Sequence, residues 1–102
     1  MNDNSYIRKA DKNQAQIVKA LRSYGISVQC LHTVGRGCPD LVCGFKGRNI
    51  LLEVKNPLAK GKLTGAETLW HQRWQGQVAV IETVEQALAL FGIRHDSLLA
   101  AL

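Results

Sequence analysis

The stretch PDLVCGFKGRNILLEVK at positions 39–55 leaves this chain few ways to fold. Two runs rich in apolar and β-branched residues, DLVCGF and RNILLEVKN, are separated only by Lys46-Gly47, and a strand pair that close in sequence is a hairpin. A two-residue turn pairs Phe45 with Arg48. Counting back along both strands then sets Asp40 opposite Glu53, and directly opposed residues of an antiparallel pair share a face at about 5 Å. A three-residue turn would instead set Leu41 opposite Glu53 and send Asp40 to the other face. Alternation along the second strand puts Glu53 and Lys55 on one side and Ile50, Leu52 and Val54 on the other. Charges at the end of so apolar a strand are costly to desolvate unless they are paired or used.

The rest of the chain supplies elements to pack on that hairpin. Residues 12–24, KNQAQIVKALRSY, place Ile17, Val18, Leu21 and Tyr24 at helical spacing, with Asp11 or Asn13 as cap and Gly25 as stop. Residues 26–33, ISVQCLHT, alternate as a strand. VGRGCPD follows as a glycine-rich connection. After Pro57 comes a basic loop, LAKGKL at 58–63. Thr64 with Glu67 forms a capping-box pattern opening a helix that runs through Trp74 and stops at Gly76. QVAVIET reads as a short buried strand, VEQALALFG as a helix ending at glycine, and the tail IRHDSLLAAL as a further amphipathic turn or a partner-facing segment. The predicted order is α-β-β-β-α-β-α, an α/β mixed sheet flanked by helices in a single domain over residues 1–102.

Composition narrows the class. The chain has 102 residues, 46% hydrophobic and 21% charged, enough for one core, with no repeat or low-complexity tract. MNDNSYIRKADKNQ is polar with no apolar stretch behind it, and nothing approaches the roughly 18 apolar residues of a membrane span. The expected setting is the cytoplasm, with no membrane partner. Cys30, Cys38 and Cys43 are an odd set without C-x-x-C spacing, which favours reduced, buried thiols over disulfides or zinc. Residues 1–63 hold 11 Lys/Arg against 4 Asp/Glu, whereas residues 64–102 hold 2 against 4. A basic half is the electrostatic footprint of nucleic-acid binding, and it is equally a solvated face that keeps a chain soluble.

Two carboxylates held as closely as Asp40 and Glu53 repel unless a cation intervenes. Hard divalent ions such as Mg²⁺ bind one or two carboxylates plus water and phosphate oxygens. A neighbouring lysine can orient or help deprotonate an attacking water and offset transition-state charge, which completes a site for phosphodiester hydrolysis. A bare E-x-K is more simply an exposed pair on an edge strand. Its context decides otherwise here.

PDL, a hydrophobic strand, a short turn and then LLEVK resemble the PD-(D/E)xK nuclease superfamily, whose core order of helix, three strands, helix and strand matches the pass above. Within it the chain looks most like a small stand-alone VRR-NUC domain of the phage and bacterial type, through NQ with an aliphatic helix, LRSYG, HTVGRGCPDL, LLEVK and KLTGAE with its tryptophans. The resemblance covers nearly the whole chain and implies a restriction-endonuclease-like core. It implies that Asp40 and Glu53 bind Mg²⁺ or Mn²⁺, that the backbone carbonyl of Val54 is a further ligand, and that Lys55 is the catalytic lysine. Many relatives carry a glutamate in helix one. Gln16 stands in the equivalent place here, with Gln14 a second candidate, and a neutral amide can still hold water beside the ion.

Other residues carry two readings each. Arg36 with the Gly35 and Gly37 amides can grip a phosphate, or the glycines can simply shape a loop. Lys60 and Lys62 can track a DNA backbone or serve solubility. His32 near the site is more often structural. Trp70 and Trp74, four apart on one helix, usually mean core or dimer packing, with base stacking the lesser use. The resemblance implies a homodimeric, metal-dependent endonuclease acting on branched DNA such as four-way (Holliday) junctions, in a bacterial or phage-infected cell. The alternative is a non-catalytic DNA-binding module on a nuclease-derived fold.

Overall fold

The computed structural model of the protein describes residues 5–59 and 62–94. Helix α1 (Ser5–Ser23) leads into strand β1 (Ser27–Cys30), and the hairpin β2 (Leu41–Phe45) and β3 (Arg48–Val54) follows. A 3-10 turn at Pro57–Ala59, helix α2 (Gly65–Arg73), strand β4 (Val78–Ile81) and helix α3 (Val84–Ala89) complete the order. The α/β class and the element order are those read from the sequence.

The four strands lie in the order β1-β2-β3-β4, antiparallel across the first two pairings and parallel between β3 and β4. Such a parallel pair needs a crossover, which α2 and its loops provide. The turn is the two-residue one: Phe45 pairs with Arg48, and Lys46 and Gly47 both take positive φ, 51° and 79°. Two successive left-handed residues match the twist of a hairpin, which is why the register does not slip.

One sheet face makes the core. Leu41, Cys43, Leu52 and Ile81 meet Ile17, Val18 and Leu21 of α1 and Ala87, Leu88 and Phe91 at and beyond the end of α3. The stripe Ile17, Val18, Leu21 is the one the helical spacing predicted, and Gly25 ends that helix with φ 83°. Cys43 is buried, Cys30 and Cys38 are half-buried, and all three are free thiols. Among the described residues no helix is long and apolar enough to cross a membrane.

Three local expectations need correction. Helix α1 starts at Ser5, so Asn13 lies inside it and is no cap; nothing in SYIRKAD breaks a helix. Its side-chain amide instead donates to the carbonyls of Lys55 at 3.0 Å and Glu82 at 3.2 Å, tying α1 to the ends of β3 and the β4 side. Strand β1 stops at Cys30 because the chain turns directly after it, Val34 N–H donating to the Leu31 carbonyl at 3.0 Å, and Gly35, Arg36 and Gly37 then continue at positive φ (75°, 57° and 82°). The tryptophans of α2 are not core, since no residue of that helix is buried. The expectations for Lys60 and for the tail beyond Arg94 lie outside the described residues.

Thr64 caps α2 through a complete capping box with Glu67, as its spacing predicted. Thr83 and Gln86 cap α3 by the same device, which the T-x-x-Q pattern announces and our sequence reading passed over. The loop before β2 is pressed against the start of α2: a Cβ on Gly37 would lie 2.4 Å from the Ala66 carbonyl oxygen. Gly37→Ala therefore meets both a left-handed backbone and a backbone clash, and is expected to cost about 2–5 kcal/mol. Urea denaturation of the variant beside the parent checks it, and a change below about 1 kcal/mol would mean that the loop and α2 part easily.

Candidate functional site

The hairpin register carries two carboxylates to one place. Leu41 pairs with Leu52, so the next step sets Asp40 across from Glu53. Asp40 Oδ2 accepts the Val54 backbone N–H at 2.8 Å, closing the open end of the hairpin with a charged acceptor. Glu53 is only 3% exposed, and among the described residues it is the buried charged side chain. Its Oε1 is buried without a hydrogen-bond partner. Lys55 completes the strand-end group, its Nζ 3.6 Å from Glu53 Oε2.

A third carboxylate arrives from α2. Lys55 Nζ donates to Glu67 Oε1 at 2.6 Å, and the same oxygen accepts the Thr64 backbone N–H at 2.9 Å. One carboxylate thus fixes the start of α2 and clamps the lysine. Sequence reading saw Glu67 only as half of a capping box, although its position shortly after the basic segment that follows LLEVK was the available hint. The bond from Lys55 to Glu67 thus ties the end of β3 to the start of α2.

Electrostatics follows from this crowding. Burial, then the charges of Asp40 and Glu67, push the Glu53 carboxyl up to about 9. Burial also raises Asp40, against the opposing bond from the Val54 amide. Glu67 is lowered despite its burial, because Lys55 and the Thr64 amide hold its charge. Burial pulls on Lys55 in the downward direction, but the bond to Glu67 and the charge of Glu53 outweigh it, and its ammonium ends up raised. Lys55 is thus held as a cation by its carboxylate neighbours. Cys38 lies near enough for its thiol to be raised by burial and by the charges of Glu53 and Asp40.

Asp40, Glu53, Lys55 and Glu67 line a cavity of about 1010 Å³ together with His32, Val54 and the Gln14 side of α1. Gln16 is exposed and does not line it. Successive helical residues turn by about 100°, so two residues apart face nearly opposite ways and only one of the two glutamines can reach the site. Gln14, the second candidate, is the one that does. Val54 is in the cavity wall, with its amide engaged by Asp40. Arg36 and Lys62 are exposed, and Gly37 packs closely against the start of α2.

The donor set fits a hard divalent ion. Two adjacent carboxylates, one with an unpartnered buried oxygen and a strongly raised affinity for a proton, offer an acceptor-rich place for a cation. Among the described residues no three His, Cys, Asp or Glu side chains form a ready-made cage. Mg²⁺ does not require one, since it keeps waters and takes oxygens from phosphate.

The fold and site together define an α/β domain with an acidic, lysine-bearing cluster at one end of a hairpin. Comparison with protein-family models, with curated proteins and with solved structures finds no match.

Proposed function

We propose that the protein is a Mg²⁺- or Mn²⁺-dependent endonuclease that hydrolyses phosphodiester bonds in DNA, selects branched structures such as four-way junctions, and acts as a homodimer. The observation that carries the metal-dependent core of this reading is Glu53: a nearly fully buried carboxylate, beside a second one, with an oxygen left unpartnered. A binding module has no use for so costly a group, and a packed apolar residue would serve a purely structural strand end better. Branched DNA and dimerisation rest on the family resemblance and on symmetry, because two symmetric cuts are most simply made by two symmetric subunits.

Asp40 and Glu53 would hold the ion. The ion supplies charge neutralisation and polarisation of the phosphate when bound. Lys55, kept protonated by its carboxylate neighbours, offers its ammonium to the oxygens on which charge grows during attack. Glu67 keeps that ammonium aimed along the strand end, and Gln14 presents an amide able to orient water. The basic first part of the chain draws the polyanion in.

The test is a substrate panel. End-labelled four-way junction, linear duplex and single strand, each incubated with Mg²⁺, Mn²⁺ or chelator, are expected to give product only with an ion and fastest from the junction. Sedimentation of the protein alone checks the dimer. Salt-sensitive binding without cutting under either ion would leave a DNA-binding module, and no binding at low salt would remove nucleic acid altogether.

A further inference from the structure

The indole rings of Trp70 and Trp74 stack with centroids 4.6 Å apart and planes 18° from parallel. Trp74 is 46% exposed, and α2 contributes nothing buried to the core. Two large aromatics held together at a surface, on a helix that makes no core, present an aromatic face to solvent. The Trp74 indole lies so close to Gly76 that a side chain there would collide with it. Beside the pair runs a groove of about 410 Å³ whose charged lining is Arg36 and Arg73, with no carboxylate.

We infer that this groove binds an unpaired nucleobase of the DNA, stacked on the Trp70–Trp74 pair, with the adjoining phosphates on Arg36 and Arg73. The inference rests on the DNA-binding half of the proposed function and adds the part of the substrate that is recognised. Bases stack on aromatic faces regardless of their identity, and guanidiniums meet phosphate oxygens in a bidentate fork. Position supports the assignment. Glu67, which holds Lys55, lies three residues before Trp70 on the same helix, about 4.5 Å along its axis. The Arg36 loop is pressed onto the start of that helix through Gly37. The clamp on Lys55 and the first ring of the stack therefore sit on one helix, less than a turn apart. A second copy of this chain fits the groove less well, because a two-fold contact there would bring like arginines together with no acid in the groove to answer them.

The two tryptophans are the chain's full complement, so their emission reports on the groove directly. The Lys55→Ala protein, in chelator, is titrated with a short oligodeoxythymidine and with a hairpin duplex of equal length. Single strand is expected to quench the emission and to bind more tightly than duplex. Trp74→Ala is expected to weaken single-strand binding about 5- to 150-fold, and Trp74→Phe to restore most of it. Arg36→Gln and Arg73→Gln are each expected to reduce the slope of log K against log salt by about 0.7. Binding without quenching, or with equal affinity in Trp74→Ala, overturns the inference. So does emission that shifts with protein concentration alone, with Trp74→Ala sedimenting at half the parent mass, which would make the face a self-interface. Cutting of DNA by the parent with no quenching would sink the groove and spare the nuclease; quenching with no cutting under any ion would do the reverse.

Discussion

Replacing Lys55 with alanine is expected to lower metal-dependent cleavage by a factor on the order of 10²–10⁴ while leaving DNA bound. The ammonium is the one cation in contact with the strand-end carboxylates among the described residues, 3.6 Å from Glu53 and 2.6 Å from Glu67. The other cations of the cavity wall, Lys19 and Arg22, belong to α1 and not to the strand end. Lys55→Arg is expected to recover little, since a guanidinium is broader and cannot fit the narrow clamp between Glu53 and Glu67 in the same way. Initial rates at saturating DNA and Mg²⁺ measure the loss, and binding in chelator shows whether the fold and the DNA surface survive. Retention of more than about a tenth of the parent rate would reduce Lys55 to a structural counter-charge.

The second large effect is on stability. In chelator the protein is expected to become progressively less stable as pH rises from about 5 to about 9. Glu53 carries the sign: its carboxyl holds a proton up to about 9 in the folded protein, against an ordinary value of 4.5. The folded state therefore binds more protons than the unfolded chain between those limits. Stability from this group is complete below the lower value and is lost as pH climbs toward the upper one, by up to about 1.4 kcal/mol per pH unit. Asp40, also raised, adds in the same direction. Glu67, lowered, acts at the acid end, where protonation removes its contribution. Saturating Mg²⁺ is expected to flatten the fall by occupying the carboxylates in place of a proton. Glu53→Gln is expected to be more stable than the parent at pH 8–9 in chelator and indifferent to Mg²⁺. Urea denaturation across pH, with and without the ion, reads all of this. A parent whose stability is level across that range would mean that Glu53 ionises without penalty, and the metal-dependent reading would lose its main support.

The hairpin was the most legible part of the sequence because its information is local. Lys46-Gly47 sets the turn, the turn sets the register, and the register brings Asp40 to Glu53 without help from any distant contact. Thr64 and Glu67 announced α2 for the same reason. What escaped notice depended on contacts between segments far apart in the chain. That Glu67 meets Lys55 follows from how the loop after β3 returns, and that Asn13 bridges the Lys55 and Glu82 carbonyls follows from where α1 lies across the sheet. Helical spacing offered Gln14 and Gln16 to the site, and the same spacing could have chosen between them: Gln14 lies three, four and seven residues before Ile17, Val18 and Leu21, on the stripe that packs on the sheet, and Gln16 does not. The tryptophans misled because four-residue spacing says that two rings share a face, and says nothing about whether anything covers it.

Asp40 and Glu53 differ in a way that bears on how such a sequence drifts. The Asp40 carboxylate is a stitch in the hairpin as well as an acidic group, since its Oδ2 takes the Val54 amide. The Glu53 oxygen Oε1 takes nothing. A lineage released from cutting DNA would gain folding stability by shedding Glu53 and would lose it by shedding Asp40. The two halves of the acidic pair should therefore disappear in a set order, glutamate first. On this account Glu53 is the more informative half of the pair: its retention costs the fold stability that only the proposed ion would return, whereas Asp40 is kept by the hairpin in any case.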